Sequence, residues 1–263
     1  MSEQDQHQQP EDSAETVETE PQVDQPKARS RGIYLLPNLF TSAALFSGFY
    51  AIIAGMNGSF EKAAIAIFVS MVLDGLDGRV ARMTNTQSEF GAQYDSLADM
   101  VSFGVAPALV AFTWALHDVG KIGWCAAFIF VAGAALRLAR FNTQIGSVDK
   151  RFFIGLASPA AAGIVAGMVW VGTQFEIDAE HYALVIALVV ALSGVLMVSN
   201  FYYHSFKDVD FKGKVPFVVL LGVVVLIAVI SLDPATLLWL IFIVYGCSGP
   251  VQALLRYRKK KTS

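Results

Sequence analysis

LDGLDGRVARMTNTQSEFGAQYDSLADMVSFGVAP, residues 73–107, carries four aspartates in a chain that otherwise avoids charge. Asp74 and Asp77 stand at i, i+3, and Asp95 and Asp99 at i, i+4. Each pair therefore falls on one face of a helix. Asn85 to Ser88 supply turn formers between them. Two consecutive antiparallel helices joined by that turn would bring both acidic faces to one place.

Outward from this stretch the chain is apolar. Of 263 residues 55% are hydrophobic and 16% charged, with mean hydropathy +0.52. Soluble domains carry about 25% charged residues, so the bulk of this chain belongs in lipid. A membrane helix needs about 20 mostly apolar residues. Eight stretches qualify, at 33–55, 62–83, 93–116, 121–141, 152–174, 181–200, 215–232 and 235–254. The fold class is all-α, a polytopic membrane helical bundle. With the N-terminus inside, seventeen basic residues fall on inner segments and only Lys62 and Lys121 on outer loops. That asymmetry obeys the positive-inside rule and puts both termini and the aspartates in the cytoplasm, at a cell inner membrane.

The second stretch has only eleven uncharged residues, Ala63 to Leu73, before Asp74. Those reach about 16 Å as helix, against a hydrocarbon core of about 30 Å. The helix must continue through Asp74 and Asp77 towards Arg82, which leaves the carboxylates at the inner membrane boundary. Ionisable groups there are tolerated when they face a bundle interior or polar cavity.

Residues 1–30 hold eight acids, from Glu3 to Asp24, and almost no large apolar side chain. They cannot offset the entropy of ordering and read as a disordered cytoplasmic tail. Residues 31–204 read as the catalytic membrane core, 205–254 as two additional transmembrane helices, a packing addition outside it, and 255–263 as a basic C-terminus. RYRKKK at 256–261 suits anionic lipid, and SNFYYHSFKD at 199–208 an interfacial aromatic belt. Cys125 and Cys247 lie in apolar runs and are expected as buried small hydrophobes.

Four carboxylates together repel unless cations bind or protons remain. Oxygen-only ligands suit Mg²⁺ or Mn²⁺, and two such ions can clamp a diphosphate. Gly78 and Gly91, one turn from Asp74 and Asp95, would let a nucleotide approach the backbone, and Arg82 could pair with phosphate. As simple inner-loop charges, the aspartates would instead balance Arg79 and Arg82.

Residues 74–99 fit D-x-x-D-G-x-x-A-R-x8-G-x-x-x-D-x-x-x-D at every fixed position. In this the chain resembles the CDP-alcohol phosphatidyltransferases. The resemblance implies a six-helix membrane core, usually dimeric, with a site open to the cytoplasm. It implies that Asp74, Asp77, Asp95 and Asp99 are the metal ligands, that Asp99 accepts the proton of the incoming alcohol, and that Gly78, Arg82 and Ser88 contact the CDP moiety. Asn38, beside Pro37, and Thr41 resemble the family's other nucleotide-contacting stretch.

SFGVAP (102–107), RLARFN (137–142) and FIGLASPAAAG (153–163) are together similar to the membrane-integral phosphatidylserine synthases, with Ala157 where proline is frequent. This implies CDP-diacylglycerol and L-serine as substrates, phosphatidylserine and CMP as products, and no nucleic acid partner. The residues agree: a serine carboxylate suits a guanidinium fork, and Arg137 and Arg140 stand at i, i+3 at the inner end of a helix, with Asn142 beside them. Glycerol-3-phosphate or an inositol phosphate is the alternative acceptor. A membrane prenyltransferase would separate its aspartate motifs more widely, and a divalent cation transporter would hold its carboxylates nearer the bilayer midplane.

Overall fold

The computed structural model describes residues 32–143, 152–204 and 217–262. The acidic tail, Lys150, Arg151 and the basic segment Lys207–Lys214 lie outside the described residues. The helices are α1 (Gly32–Met56), α2 (Phe60–Thr84), α3 (Glu89–Asp99), α4 (Ala106–Trp114), α5 (Lys121–Thr143), α6 (Ser158–Gln174), α7 (Ala183–Val198), α8 (Phe217–Leu232) and α9 (Pro234–Thr262). A π-helical turn, Met100–Val105, joins α3 to α4 into one span, so the eight expected stretches reappear in order. Among the described residues, four helical segments are long and apolar enough to cross a membrane: Leu36–Met56, Glu89–Trp114, Lys121–Thr143 and Pro234–Arg256. α2 has 25 residues but carries the motif's charges.

Small residues let the helices approach closely. Between α1 and α2, Ser47 Oγ donates to Ala66 O at 2.8 Å and Ser70 Oγ to Ala44 O at 2.8 Å. These are the inter-helix hydrogen bonds that substitute for a hydrophobic driving force in lipid. Between α5 and α7, a Cβ added at Gly133 would run into Gly194 O. Nothing larger than glycine fits that crossing. α6 is the central helix, with every residue from Ala160 to Gly172 buried.

The π turn has a local cause. Pro107 has no N–H for the carbonyl four residues back, and Ala106 N–H reaches five residues back, to Val101 O. Ser102 Oγ donates to Ala44 O at 3.2 Å, which seats the turn against α1.

Three expectations change. The fifth helix starts at Ser158 rather than 152, because Gly155 takes φ +84 and the preceding residues form a strand, β1 (Phe152–Ile154). The aromatic stretch at 199–208 contains its antiparallel partner, β2 (Tyr202–His204), with Phe153 opposite Tyr203. And α9 packs on the core instead of outside it. Gly163 faces Phe242, Gly167 faces Trp239 and Gly246 faces Ile164. Tyr203, fully buried, donates to Gly246 O at 3.0 Å and ties the ribbon to α9. The described side chains of α8 are largely exposed.

Cys125 and Cys247 are both exposed. A bundle helix buries one stripe against its neighbours and leaves the rest to lipid, so an apolar context does not imply protein burial.

Gly133→Ala should therefore lose about 1–3 kcal/mol of stability through overpacking. Gly222→Ala, with nothing within 4 Å of its added Cβ, should be neutral or slightly stabilising. Thermal unfolding of the two variants in detergent checks this; equal losses would place the α5–α7 crossing wrongly.

Candidate active site

The site starts from the turn between α2 and α3. Asn85 closes α2 in the left-handed region, φ 53, a conformation asparagine tolerates better than most. Ser88 then caps α3, its Oγ accepting from Gly91 N at 3.0 Å. Two side-chain hydrogen bonds hold α3. Ser42 and Tyr94 share a hydroxyl hydrogen bond at 2.8 Å from α1. Asn142 Nδ2 from α5 donates to Ser96 Oγ at 3.1 Å. Asn38 Oδ1 lies 3.4 Å from the position of a Cβ on Gly91.

These contacts bring three of the four aspartates together. Carboxylate oxygens of Asp74, Asp95 and Asp99 all lie within 4.8 Å of one another. Asp95 Oδ1 is buried with no hydrogen-bond partner among the described residues. At an effective dielectric near 20, each such pair of charges repels by roughly 3 kcal/mol. An oxygen-only donor set, excess negative charge and an unpartnered buried oxygen together fit a hard divalent cation.

Asp77 is not in this group of three. It lies beside it, turned to α1, where Thr41 Oγ1 donates to its Oδ2 at 2.6 Å. Residues at i, i+3 differ by about 60° around a helix. Asp74 thus faces α3 while Asp77 reaches the flank that α1 covers.

The other expected residues divide similarly. Gly78 faces open space, whereas Gly91 has Ser88 and Asn38 as neighbours. Arg82 is exposed, its Nε donating to Gly78 O at 2.8 Å. Arg137 lies within electrostatic reach of Asp99; its Nη1 donates to Ser158 Oγ at 2.8 Å, and its buried Nε has no hydrogen-bond partner among the described residues. Arg140 is directed away, to Asn200 Oδ1 at 2.8 Å and Val198 O at 3.4 Å. Ser158, and Tyr245 of α9, which lies within electrostatic reach of Arg137, were not foreseen as site residues. Ser158 lay inside a quoted motif; Tyr245 sits in an apolar run without one.

The sequence profile of the family described as CDP-alcohol phosphatidyltransferase matches residues 34–193. The chain belongs to that family. Phosphatidyltransferase relatives align over most of its length. A Helicobacter pylori CDP-diacylglycerol–serine O-phosphatidyltransferase is 40% identical over 215 residues, 81% of this chain and 90% of that protein. Enzymes of the same name from Mycobacterium tuberculosis and Methanocaldococcus jannaschii are 32% and 33% identical, over 87% and 74% of this chain and 82% and 87% of theirs. The matched phosphatidyltransferase segment includes all four aspartates and Arg137 but ends before α8 and α9.

Binding of a cation to the folded state alone stabilises it by mass action. Saturating Mn²⁺ should raise the Tm of the purified protein, and a chelator should reverse the rise. Asp74→Asn and Asp95→Asn should each shrink it; an undiminished rise in both would locate the bound ion elsewhere.

Proposed function

We propose that this protein transfers the phosphatidyl group of CDP-diacylglycerol to L-serine, releasing CMP and forming phosphatidylserine. One observation carries the reading: a cluster of three carboxylates on the motif helices, with the half-buried Arg137 in electrostatic reach of Asp99 and its buried Nε unpartnered among the described residues. The names of the relatives agree with it.

Asp74, Asp95 and Asp99 would hold the divalent cation, Mg²⁺ or Mn²⁺, with Asp77 alongside and room in the family's pattern for two ions. Such ions neutralise the charge of a diphosphate and of the departing CMP. The chain's own residues do the rest. Asp99 takes the proton of the serine hydroxyl as its oxygen bonds to the lipid-side phosphorus and the bond to CMP breaks. Arg137, steadied by Ser158, offers Nε to the serine carboxylate, a planar acceptor that guanidinium matches better than ammonium. Asn142, fixed to α3 through Ser96, borders the same space. Open space over Gly78 suits the nucleotide, with Arg82 at its edge. Ser88 and Asn38 act by shaping α3 in the absence of nucleotide.

A site at the cytoplasmic boundary of the inner membrane fits these substrates. Acyl chains stay in lipid while serine and CMP exchange with water. The basic-residue asymmetry supports that orientation, and a homodimer follows the family pattern.

CMP release from CDP-diacylglycerol by the purified protein should depend on L-serine. Asp99→Asn should lower kcat by about a hundredfold or more, the scale of general base catalysis. Arg137→Lys should raise the KM for serine more than that for the CDP-lipid. Turnover with glycerol-3-phosphate but not with serine would overturn the acceptor assignment.

A further inference from the structure

We propose that Thr41 is a positioning residue that holds Asp77 for divalent-cation binding, dividing the four aspartates into a group of three and a separately anchored fourth. This rests on the reading of the carboxylate cluster as a divalent metal centre. Resemblance assigns Thr41 to the nucleotide; here its hydroxyl donates to Asp77. Thr41 Oγ1 lies 2.6 Å from Asp77 Oδ2 and 3.1 Å from Pro37 O. A hydroxyl has one proton to give, and 2.6 Å falls in the range of charge-assisted O–H···O⁻ bonds. The proton therefore belongs to the Asp77 contact.

Both side chains are buried, Thr41 4% and Asp77 5% exposed. A β-branched side chain has few rotamers on a helix, so Thr41 fixes its donor in space. Asp77 Oδ2 is committed to that donor. The carboxylate plane is thereby set, together with the direction in which Oδ1 can be offered. Asp77 stays outside the 4.8 Å group of Asp74, Asp95 and Asp99 while remaining on the same helix as Asp74. α1 thus contributes to the metal centre through an outer contact, although it supplies none of the four carboxylates.

Outer hydrogen-bond partners of carboxylate ligands typically change metal affinity by about 10–100-fold when lost. Mn²⁺ binding to the purified full chain in detergent, without nucleotide, reads this directly by electron paramagnetic resonance. Thr41→Val keeps the shape and removes the donor; it should weaken Mn²⁺ binding on that scale. Thr41→Ser should restore wild-type affinity. In an Asp77→Asn background, where the three-carboxylate cluster persists, Thr41→Val should have no further effect. Unchanged affinity in Thr41→Val, or an additional loss in the Asp77→Asn background, overturns the inference. Wild-type protein that fails to bind Mn²⁺ overturns the metal centre and this inference together, whereas wild-type binding with an indifferent Thr41→Val overturns this inference alone.

Discussion

Carboxylates do not gather in a protein of this composition without compensation. Carboxylate oxygens of Asp74, inside α2, and of Asp95 and Asp99 on α3 lie within 4.8 Å of one another in an otherwise largely apolar chain. Their mutual repulsion and their distance from bulk water both oppose the arrangement. The surrounding bundle is built to hold it. The turn at Asn85 and the cap at Ser88 start α3, which packs against α1. Ser42 and Asn142 pin α3 from two sides. The π turn at Met100–Val105 follows the last aspartate at once and rests on α1 through Ser102. α6, buried along most of its length, presents Ser158 to Arg137 at the same end of the bundle.

This explains why the site draws on residues far apart in sequence. Arg137 comes from α5, Ser158 from α6 and Tyr245 from α9. Tyr245 also meets the ring of Tyr203 at 5.5 Å, which joins the β-ribbon to the last helix. The family match ends at residue 193, yet α9 seats against α6 through three glycine contacts. The C-terminal helix is thus continuous with the packing that supports the site, while α8 contributes little to it.

Much of this was legible in the residues, for identifiable reasons. Hydropathy located the eight helical stretches, four of them long and apolar enough among the described residues to cross a membrane, because lipid imposes length and polarity on any crossing helix. The aspartate spacing located the site because helical periodicity is rigid over one turn. What escaped was set by neighbours that periodicity does not name. Asp77 looked equivalent to Asp74, and only the position of α1 separates them. Arg137 and Arg140 looked like one fork, yet they bond to α6 and to the end of α7 respectively. Gly91 looked like room for a ligand but has Ser88 and Asn38 as neighbours. The strand at Phe152–Ile154 escaped because apolar residues before a helix read as helix until Gly155 reveals its positive φ.

The convergence of α2 and α3 on a cation is open to direct observation. An anomalous difference map from crystals grown with Mn²⁺ and recorded at the manganese edge locates the ion without reference to activity. The strongest peak should lie within coordination distance of Asp74, Asp95 and Asp99 together. A map with no peak there, or with the ion on one aspartate and the others turned away, would contradict a shared metal centre and remove the basis for the proposed chemistry.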